Sequence, residues 1–215
     1  MRAEEFENGA FYHIYNRGVD KRAIVLDKFD AERFVQGLQE FNNTGLIRSI
    51  HENSFKKDKL GYQVSKLVCV VAYCLNPNHF HLLLQQLVDD GISTFLKSEC
   101  GGYARYFNIR HKRSGSLFEG PFKAKYVEEG EDLDYVSVYV GRNNELHKLG
   151  YHVSKLVRSS WSEYAEGKSG LCYKEPVLHD FKNTKEYLAY ASGAIQEMHY
   201  SKSVQKELKE IQFED

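Results

Sequence analysis

Two apolar runs separated by a short turn constrain the fold of this chain more than any other feature. Residues 65–75, SKLVCVVAYCL, are rich in β-branched side chains, and residues 79–86, HFHLLLQQ, form a second apolar run. Between them lies Asn76-Pro77-Asn78, a combination typical of turns because proline fixes φ and asparagine hydrogen-bonds its own backbone. Two neighbouring strands joined by a tight turn predict an antiparallel β-hairpin.

Apolar periodicity and turn residues place the other elements around this hairpin. Residues 10–18 and 117–129 are predicted as strands, residues 30–45, 92–112 and 131–150 as helices, and residues 51–60 as a loop. This order predicts an α+β fold: a ferredoxin-like antiparallel sheet with helices on one face. The pattern divides the chain into a domain over 1–160 and a C-terminal extension over 161–215, made of shorter helices and loops.

Composition narrows the classes of function. The chain has 215 residues, of which 42% are hydrophobic, and a formal net charge of −1, so any surface for nucleic acid must be local. No stretch approaches the roughly 18 apolar residues of a membrane-spanning helix, and the acidic, polar start is unlike a signal peptide. The four cysteines contain no C-x-x-C pair and are expected to be reduced. We therefore expect a soluble, cytoplasmic protein.

His79 and His81 flank one aromatic residue in the second strand of the hairpin. Side chains alternate along a strand, so the two imidazoles share a face with Cα atoms about 6.5–7 Å apart and can converge on one cation. A carboxylate, an amide, water or a substrate phosphate would have to complete the ligand shell. The alternative is two half-buried histidines that hydrogen-bond to backbone or water.

A basic segment with interleaved aromatic rings follows between residues 103 and 125. The segment contains six lysines and arginines but only one acidic residue, Glu119. Five tyrosines and phenylalanines lie among them in the sequence. Such a segment suits a nucleic-acid backbone with stacked bases, and the alternative is a solvated helix face above an apolar stripe. The candidate DNA-binding residues are Arg105, Arg110, Lys112, Arg113, Lys123 and Lys125.

Tyr135, Tyr139 and Asn143 are spaced at one helical turn and would share a helix face. A tyrosine can act as a nucleophile, but a phenol with a pKa of about 10 needs a nearby cation or base. The alternative is a pair of tyrosines packed on the sheet with exposed tips.

A decapeptide occurs twice, as KLGYQVSKLV at 59–68 and KLGYHVSKLV at 148–157, with nine of ten positions identical. Nothing around the two copies repeats, which excludes a solenoid. Our hypothesis is that a short DNA segment was inserted twice into the reading frame.

Four segments together resemble a known family. YHIYNRG, CLNPNHFHLLL, YARYFNIRHKRSGSLFEGPFKAKYV and YVSVYVGRNN occur in this order and are similar to the single-tyrosine HUH transposases, specifically the REP-associated tyrosine transposases. The resemblance runs from about Phe11 to Trp161. It departs at Asn76, where relatives often carry methionine, and at Asn144, where proline usually follows the asparagine.

The resemblance implies a role for several residues. It makes His79 and His81 the pair that binds a divalent metal, Mg²⁺ or Mn²⁺, with Asn143 completing the shell. It makes Tyr139 the nucleophile, with Tyr135 and Tyr126 as the alternatives.

The implied activity is that of a single-strand DNA endonuclease and strand transferase. The tyrosine attacks a phosphodiester, becomes linked to the 5′-phosphate and leaves a free 3′-hydroxyl, without a nucleotide cofactor. The implied partner is single-stranded or stem-loop DNA at repetitive palindromes, bound by a nucleoid-associated monomer or homodimer. The alternatives are a catalytically degenerate hairpin-binding protein and a metal phosphoesterase that uses a bound hydroxide.

Overall fold

A five-stranded antiparallel sheet, with strand order β4-β1-β3-β2-β5, forms the centre of the fold. The computed structural model describes residues 5–45, 50, 65–147 and 151–211. The strands are β1 Phe11–Arg17, β2 Val68–Leu75, β3 His79–Gln86, β4 Lys123–Val127 and β5 Arg158–Ser159. The helices are α1 Lys28–Glu40, α2 Gly91–Arg110, α3 Glu131–Gly141, α4 Tyr151–Ser154, α5 Trp161–Ala165, α6 Glu175–Leu178 and α7 Thr184–Ile211.

The predicted hairpin is confirmed and supplies the two inner strands β2 and β3. Leu75 pairs with Phe80, and the Asn76 N–H donates to the carbonyl of His79 at 2.8 Å to close the turn. A bulge between Val70 and Ala72 adds a residue to β2, so that Val71 and Ala72 both enter the same buried cluster.

The order β4-β1-β3-β2 is that of the predicted ferredoxin-like layout, and the α+β class is confirmed. Helices α1 and α2 cover the face that carries Phe80, Leu82 and Leu84. The structure differs from the prediction in that α3 covers the opposite face, around Leu83, and α7 packs on α3. Both faces of the inner strands are apolar, so each needs a covering layer.

Two predicted elements are much shorter in the structure, and α1 ends at Glu40 and not at residue 45. Strand β4 begins at Lys123 and not at residue 117, because Pro121 has no N–H to donate to a ladder. Helix α3 ends at Gly141 and not at residue 150, since glycine and the asparagines that follow are poor helix formers. Asn143 therefore lies in a 3-10 turn, Asn143–Leu146, beyond the end of the helix.

The C-terminal extension was predicted as short helices and loops, which is wrong for its last part. Helices α5 and α6 are short, but α7 is one helix of 28 residues. Tyr187 and Ile195 of α7 are buried in the same cluster as Leu133 and Val138 of α3. The division of the chain at residue 160 stays a prediction. In the described ranges no helix combines the length and apolar character needed to cross a bilayer.

The two copies of the repeated decapeptide adopt different structures where they are described. In the first copy Ser65–Val68 leads into β2, whereas in the second the identical tetrapeptide at 154–157 forms the end of α4 and a turn. Residues 59–64 and 148–150 lie outside the described part, as does the predicted loop over 51–60. All four cysteines are free thiols, as expected.

Candidate active site

His79 and His81 lie on the sheet face that is covered by α3. The neighbouring strand β1 places Tyr15 opposite His81 and Arg17 opposite His79. Phe80 points to the other face and is fully buried in the core with α1 and α2. The alternation inferred from the sequence thus directs both imidazoles to one surface, with their ring centroids 5.2 Å apart.

Two further histidines join the pair and were not singled out from the sequence. His13 on β1 lies with its Nε2 2.8 Å from Nδ1 of His81. His147, which follows the 3-10 turn, stacks edge-on against His79 with ring centroids 4.8 Å apart. His13 could have been found from its alternation with Tyr15 on β1, given the pairing of β1 with β3. His147 has no such signal, because it is placed by a turn.

Burial keeps these imidazoles neutral. It lowers the pKa of His81 to about 2, assisted by the positive charge that His13, His79 and His147 would carry. Burial likewise lowers the pKa of His13 and of His147 to about 4, and lowers that of His79. A neutral imidazole keeps a lone pair, which is the form that a metal ion binds.

The amide of Asn143 reaches His79 from the 3-10 turn. Asn143 is fully buried, and its Oδ1 lies 3.2 Å from Nε2 of His79. The other ring nitrogen of His79 is 2.7 Å from Oδ1 of Asn78, an acceptor. Nδ1 of His79 therefore carries the proton, and Nε2 presents its lone pair beside Oδ1 of Asn143.

Tyr139 packs directly over the histidines. Its ring is edge-on to His81 at 5.5 Å and to His13 at 5.6 Å between centroids. Burial raises the pKa of the Tyr139 hydroxyl, and the nearby Asn143 amide acts in the opposite direction. Among the three tyrosines considered from the sequence, only Tyr139 lines the cavity at this site. Tyr126 is 54% exposed and contacts the Tyr12 ring.

A cavity of about 400 Å³ opens beside Tyr139. Its wall carries three cationic side chains and one carboxylate, Glu119, which forms a two-pronged ion pair with Arg17. The excess of positive charge suits a phosphate group. The lining residues are Tyr15, Asn16, Arg17, Lys21, Asn78, His79, His81, Glu119, Lys123, Tyr139 and His147.

The basic segment predicted to bind DNA is divided between the two faces of the sheet. Lys123 and Lys125 lie opposite Tyr15 and His13 and so share their face. Arg105, Arg110, Lys112 and Arg113 lie in α2 or just after it, and α2 packs on the opposite face. The sheet therefore separates these four residues from the histidines.

Two of the arginines of this segment are engaged within the protein. Arg110 makes hydrogen bonds of 2.7 and 2.6 Å to the carboxylates of Asp27 and Asp30. Arg113 donates to the side chain of Asn108 and to the carbonyl of Ser116.

The interleaved rings of this segment mostly belong to the core. Tyr103 and Phe107 are buried, and the Tyr103 hydroxyl donates to the Ile24 carbonyl at 2.5 Å. Phe118 is buried as well. The burial of these three rings agrees with the alternative interpretation of the segment, in which its apolar side chains belong to the core and do not stack on bases.

The donor atoms at His79 and Asn143 fit a divalent metal. Within the described ranges no three His, Cys, Asp or Glu side chains are grouped to hold a metal ion, so the ligand set has to include amides. Imidazole nitrogen with amide oxygen suits a cation of intermediate hardness, which favours Mn²⁺ over Mg²⁺. Two buried polar atoms here, Oδ1 of Asn76 and Nδ2 of Asn143, have no hydrogen-bond partner among the described residues.

No family model and no curated protein sequence matches this chain. The structure is similar to that of a REP-associated tyrosine transposase bound to a REP hairpin, with 12% sequence identity and a TM-score of 0.49. The similarity covers 80% of this chain and 90% of that one.

Proposed function

We propose that the protein is a metal-dependent single-strand DNA endonuclease and strand transferase that uses Tyr139 as its nucleophile. One observation carries the proposal: the Tyr139 ring rests on His81 and His13, beside the point where His79 Nε2 and Asn143 Oδ1 lie 3.2 Å apart. A candidate nucleophile thus lies beside two candidate metal ligands, and Tyr139 and His79 both line the same cavity. The motifs that resemble the REP-associated tyrosine transposases agree with this assignment.

His79, His81 and Asn143 would hold Mn²⁺ or Mg²⁺, whose charge would polarise a bound phosphodiester. Lys21 and Lys123 in the cavity wall would bind the same phosphate. The Tyr139 oxygen attacks phosphorus and forms a new P–O bond, while the bond to the 3′-oxygen breaks. The hydroxyl proton of the tyrosine is balanced by the proton taken up by the departing 3′-hydroxyl.

The raised pKa of Tyr139 matters for this step. A buried phenol is a poor nucleophile until positive charge or a hydrogen-bond donor stabilises the phenolate. The Asn143 amide already acts in that direction, and the cationic cavity wall adds to it. We therefore expect cleavage to need both DNA and a divalent ion.

The test is formation of a covalent protein–DNA adduct with a stem-loop oligonucleotide and Mn²⁺ or Mg²⁺. Tyr139→Phe should abolish the adduct, because the ring remains while the attacking oxygen is lost. Tyr135→Phe is the matched control on the same helix and should leave the adduct intact. If the two results were exchanged, the nucleophile would be Tyr135.

Substitution of the proposed metal ligands provides a second, independent test. His79→Ala and His81→Ala should stop adduct formation but retain salt-sensitive DNA binding, since phosphate contacts supply most of the affinity. A phosphoesterase using a bound hydroxide would instead turn over repeatedly without protein-linked DNA.

A hairpin-binding protein without catalysis is the second candidate. It is favoured by the absence, in the described part of the chain, of any group of three His, Cys, Asp or Glu side chains that could hold a metal ion. It predicts DNA binding with no adduct under any divalent metal, even with wild-type protein.

A further inference from the structure

Asn76 is a buried polar residue that the proposed mechanism does not use. Its side chain lies in the turn between β2 and β3 and is 1% exposed. Oδ1 of Asn76 makes no hydrogen bond with any described residue. An unsatisfied buried carbonyl destabilises the folded state, so such a group in a native protein calls for an explanation, for example a bound ion.

The amide nitrogen of Asn76 occupies the point on which the candidate ligands converge. Nδ2 lies 2.9 Å from Oδ1 of Asn143 and 3.0 Å from Nε2 of His79. Its N–H groups thus point toward two lone pairs that are 3.2 Å from each other. The positively polarised NH₂ group of Asn76 therefore occupies the place to which these two lone pairs would attract a cation.

A half-turn of the Asn76 amide about its Cβ–Cγ bond exchanges Nδ2 and Oδ1 without moving the backbone. Three lone-pair atoms would then form a triangle with edges of 2.9, 3.0 and 3.2 Å. Adjacent ligands in an octahedral shell with bonds of about 2.1 Å are about 3.0 Å apart. The triangle therefore matches one face of such a shell.

We infer that Oδ1 of Asn76 is a metal ligand alongside His79 and Asn143, an inference that rests on the proposed metal-dependent function. His81 remains the second imidazole of the site. All four ligands are uncharged, so the ion keeps its full positive charge toward the phosphate. An ion held in this way binds weakly to the protein alone and more tightly once the phosphate adds its oxygen.

The turn holds Asn76 in the position that this role requires. The carbonyl of Pro77 accepts hydrogen bonds from the N–H groups of Ile24 and Val25, at 2.7 and 3.0 Å. The Asn76 N–H is bound to the His79 carbonyl. The backbone on both sides is fixed, and only the amide has to rotate.

Mn²⁺ titration of the full chain by calorimetry and by thermal shift tests the inference. Asn76→Leu removes the oxygen at similar size and should weaken Mn²⁺ binding at least tenfold, without DNA present. Asn76→Asp places a charged oxygen at the same point and should strengthen binding at least tenfold. Asn78→Ala is the comparison variant, because Asn78 orients the outer nitrogen of His79 and donates to the Lys21 carbonyl without being a proposed ligand, and its effect should be smaller than that of Asn76→Leu.

A crystal structure of the wild-type protein with Mn²⁺, located by anomalous scattering, decides the assignment. The inference requires Oδ1 of Asn76 at bonding distance from the ion. An ion bound by His79, His81 and Asn143 while Asn76 still donates to Asn143 overturns the inference and leaves the proposed function standing. Failure of wild-type protein to bind Mn²⁺ with or without DNA overturns both. The wild-type crystal answers the question even where Asn76→Leu fails to fold.

Discussion

His13 determines how His81 presents its second nitrogen. When Nε2 of His13 accepts the hydrogen bond, Nδ1 of His81 carries the proton and its Nε2 keeps a lone pair with which it would bind the proposed metal. Partners of this kind orient metal-binding histidines and raise their basicity. His13 is thus a positioning residue, which acts through His81.

Replacing His13 should slow adduct formation while DNA affinity stays unchanged. We expect His13→Leu to cost about 10–100-fold in the rate, the range found for the partners of metal-binding histidines. His13→Gln should recover part of the loss, because its amide oxygen can accept from His81. Rates are measured at saturating DNA, and equal losses for both variants would contradict the positioning role.

The buried histidines also predict a dependence of stability on pH. Because the pKa of folded His81 is lowered to about 2, the unfolded chain binds the extra proton below about pH 6.5 and the folded chain does not. The stability from keeping His81 neutral is therefore present above pH 6.5 and is lost as the pH falls. His13 and His147 act in the same direction.

Urea unfolding at several pH values in the presence of a chelator checks this sign. The free energy of unfolding of the wild type should fall between pH 6.5 and pH 5. His81→Gln should flatten that dependence by up to about 1.4 kcal/mol per pH unit, the value for one proton. An unchanged slope in the variant would show that His81 is protonated in the folded state.

The sequence was sufficient to predict that His79 and His81 share a strand face, but not to predict which residues surround them. Strand alternation alone puts the two side chains on one face. His13 reaches His81 only through the register of β1 against β3, which places His13 opposite Leu83. Asn76 and His147 are brought in by turns, whose side-chain directions follow no simple period.

At the scale of elements, the start of α2 depends on close backbone packing. Gly91 begins the helix, and a Cβ added there would collide with the backbone carbonyl oxygen of Leu67. The same carbonyl already accepts a hydrogen bond from Leu87 N–H at 3.2 Å. Neither group can move freely, so only glycine fits.

Two alanine substitutions in α2 should therefore have opposite effects on stability. Gly91→Ala should destabilise the protein by about 1–3 kcal/mol, as other overpacked sites do. Gly101→Ala should be neutral or stabilise by up to about 1 kcal/mol, because a Cβ there meets nothing within 4 Å and alanine is the better helix former. Denaturant midpoints compare the two, and similar losses would contradict the packing account.

Helix α2 was predicted within two residues at each end, whereas α3 was extended too far. Apolar residues at helical spacing, Ile92, Phe95, Tyr103 and Phe107 among them, identify α2 despite Gly101 and Gly102. In the structure Asp27 caps α1 by accepting from the N–H groups of Phe29 and Asp30. The end of α3 was harder to predict, because the 3-10 turn that follows it is also buried, at Asn143 and Leu146. The pattern of buried positions therefore continues beyond the end of the helix.

At the scale of the whole molecule, the sheet has two separate covers, and α7 packs on α3, which covers the face that carries the site. Tyr187 is almost fully buried there, with its ring 5.3 Å from that of Tyr164 and 5.2 Å from that of Phe181. The sequence concealed this role because the buried positions of α7 include the small residues Ala191 and Ala194. Small side chains give a weak apolar signal yet allow close helix packing.

Removing the Tyr187 ring should therefore weaken the whole fold. Tyr187→Ala should cost about 3–5 kcal/mol, as for other large buried aromatic side chains. Tyr200→Ala, on the same helix at 71% exposure, should cost no more than about 0.5 kcal/mol. Thermal or urea unfolding measures both, and a small effect of Tyr187→Ala would show that α7 is dispensable.

The position of α7 in the chain determines when the buried cluster between the sheet and the C-terminal helices is completed during synthesis. A ribosome adds roughly 5–20 residues per second, and about 100 residues separate His81 from Tyr187. The sheet face that carries the histidines thus emerges roughly 5–20 seconds before the helix that completes the apolar cluster on that face. A nascent chain in that interval exposes apolar surface and is prone to aggregation.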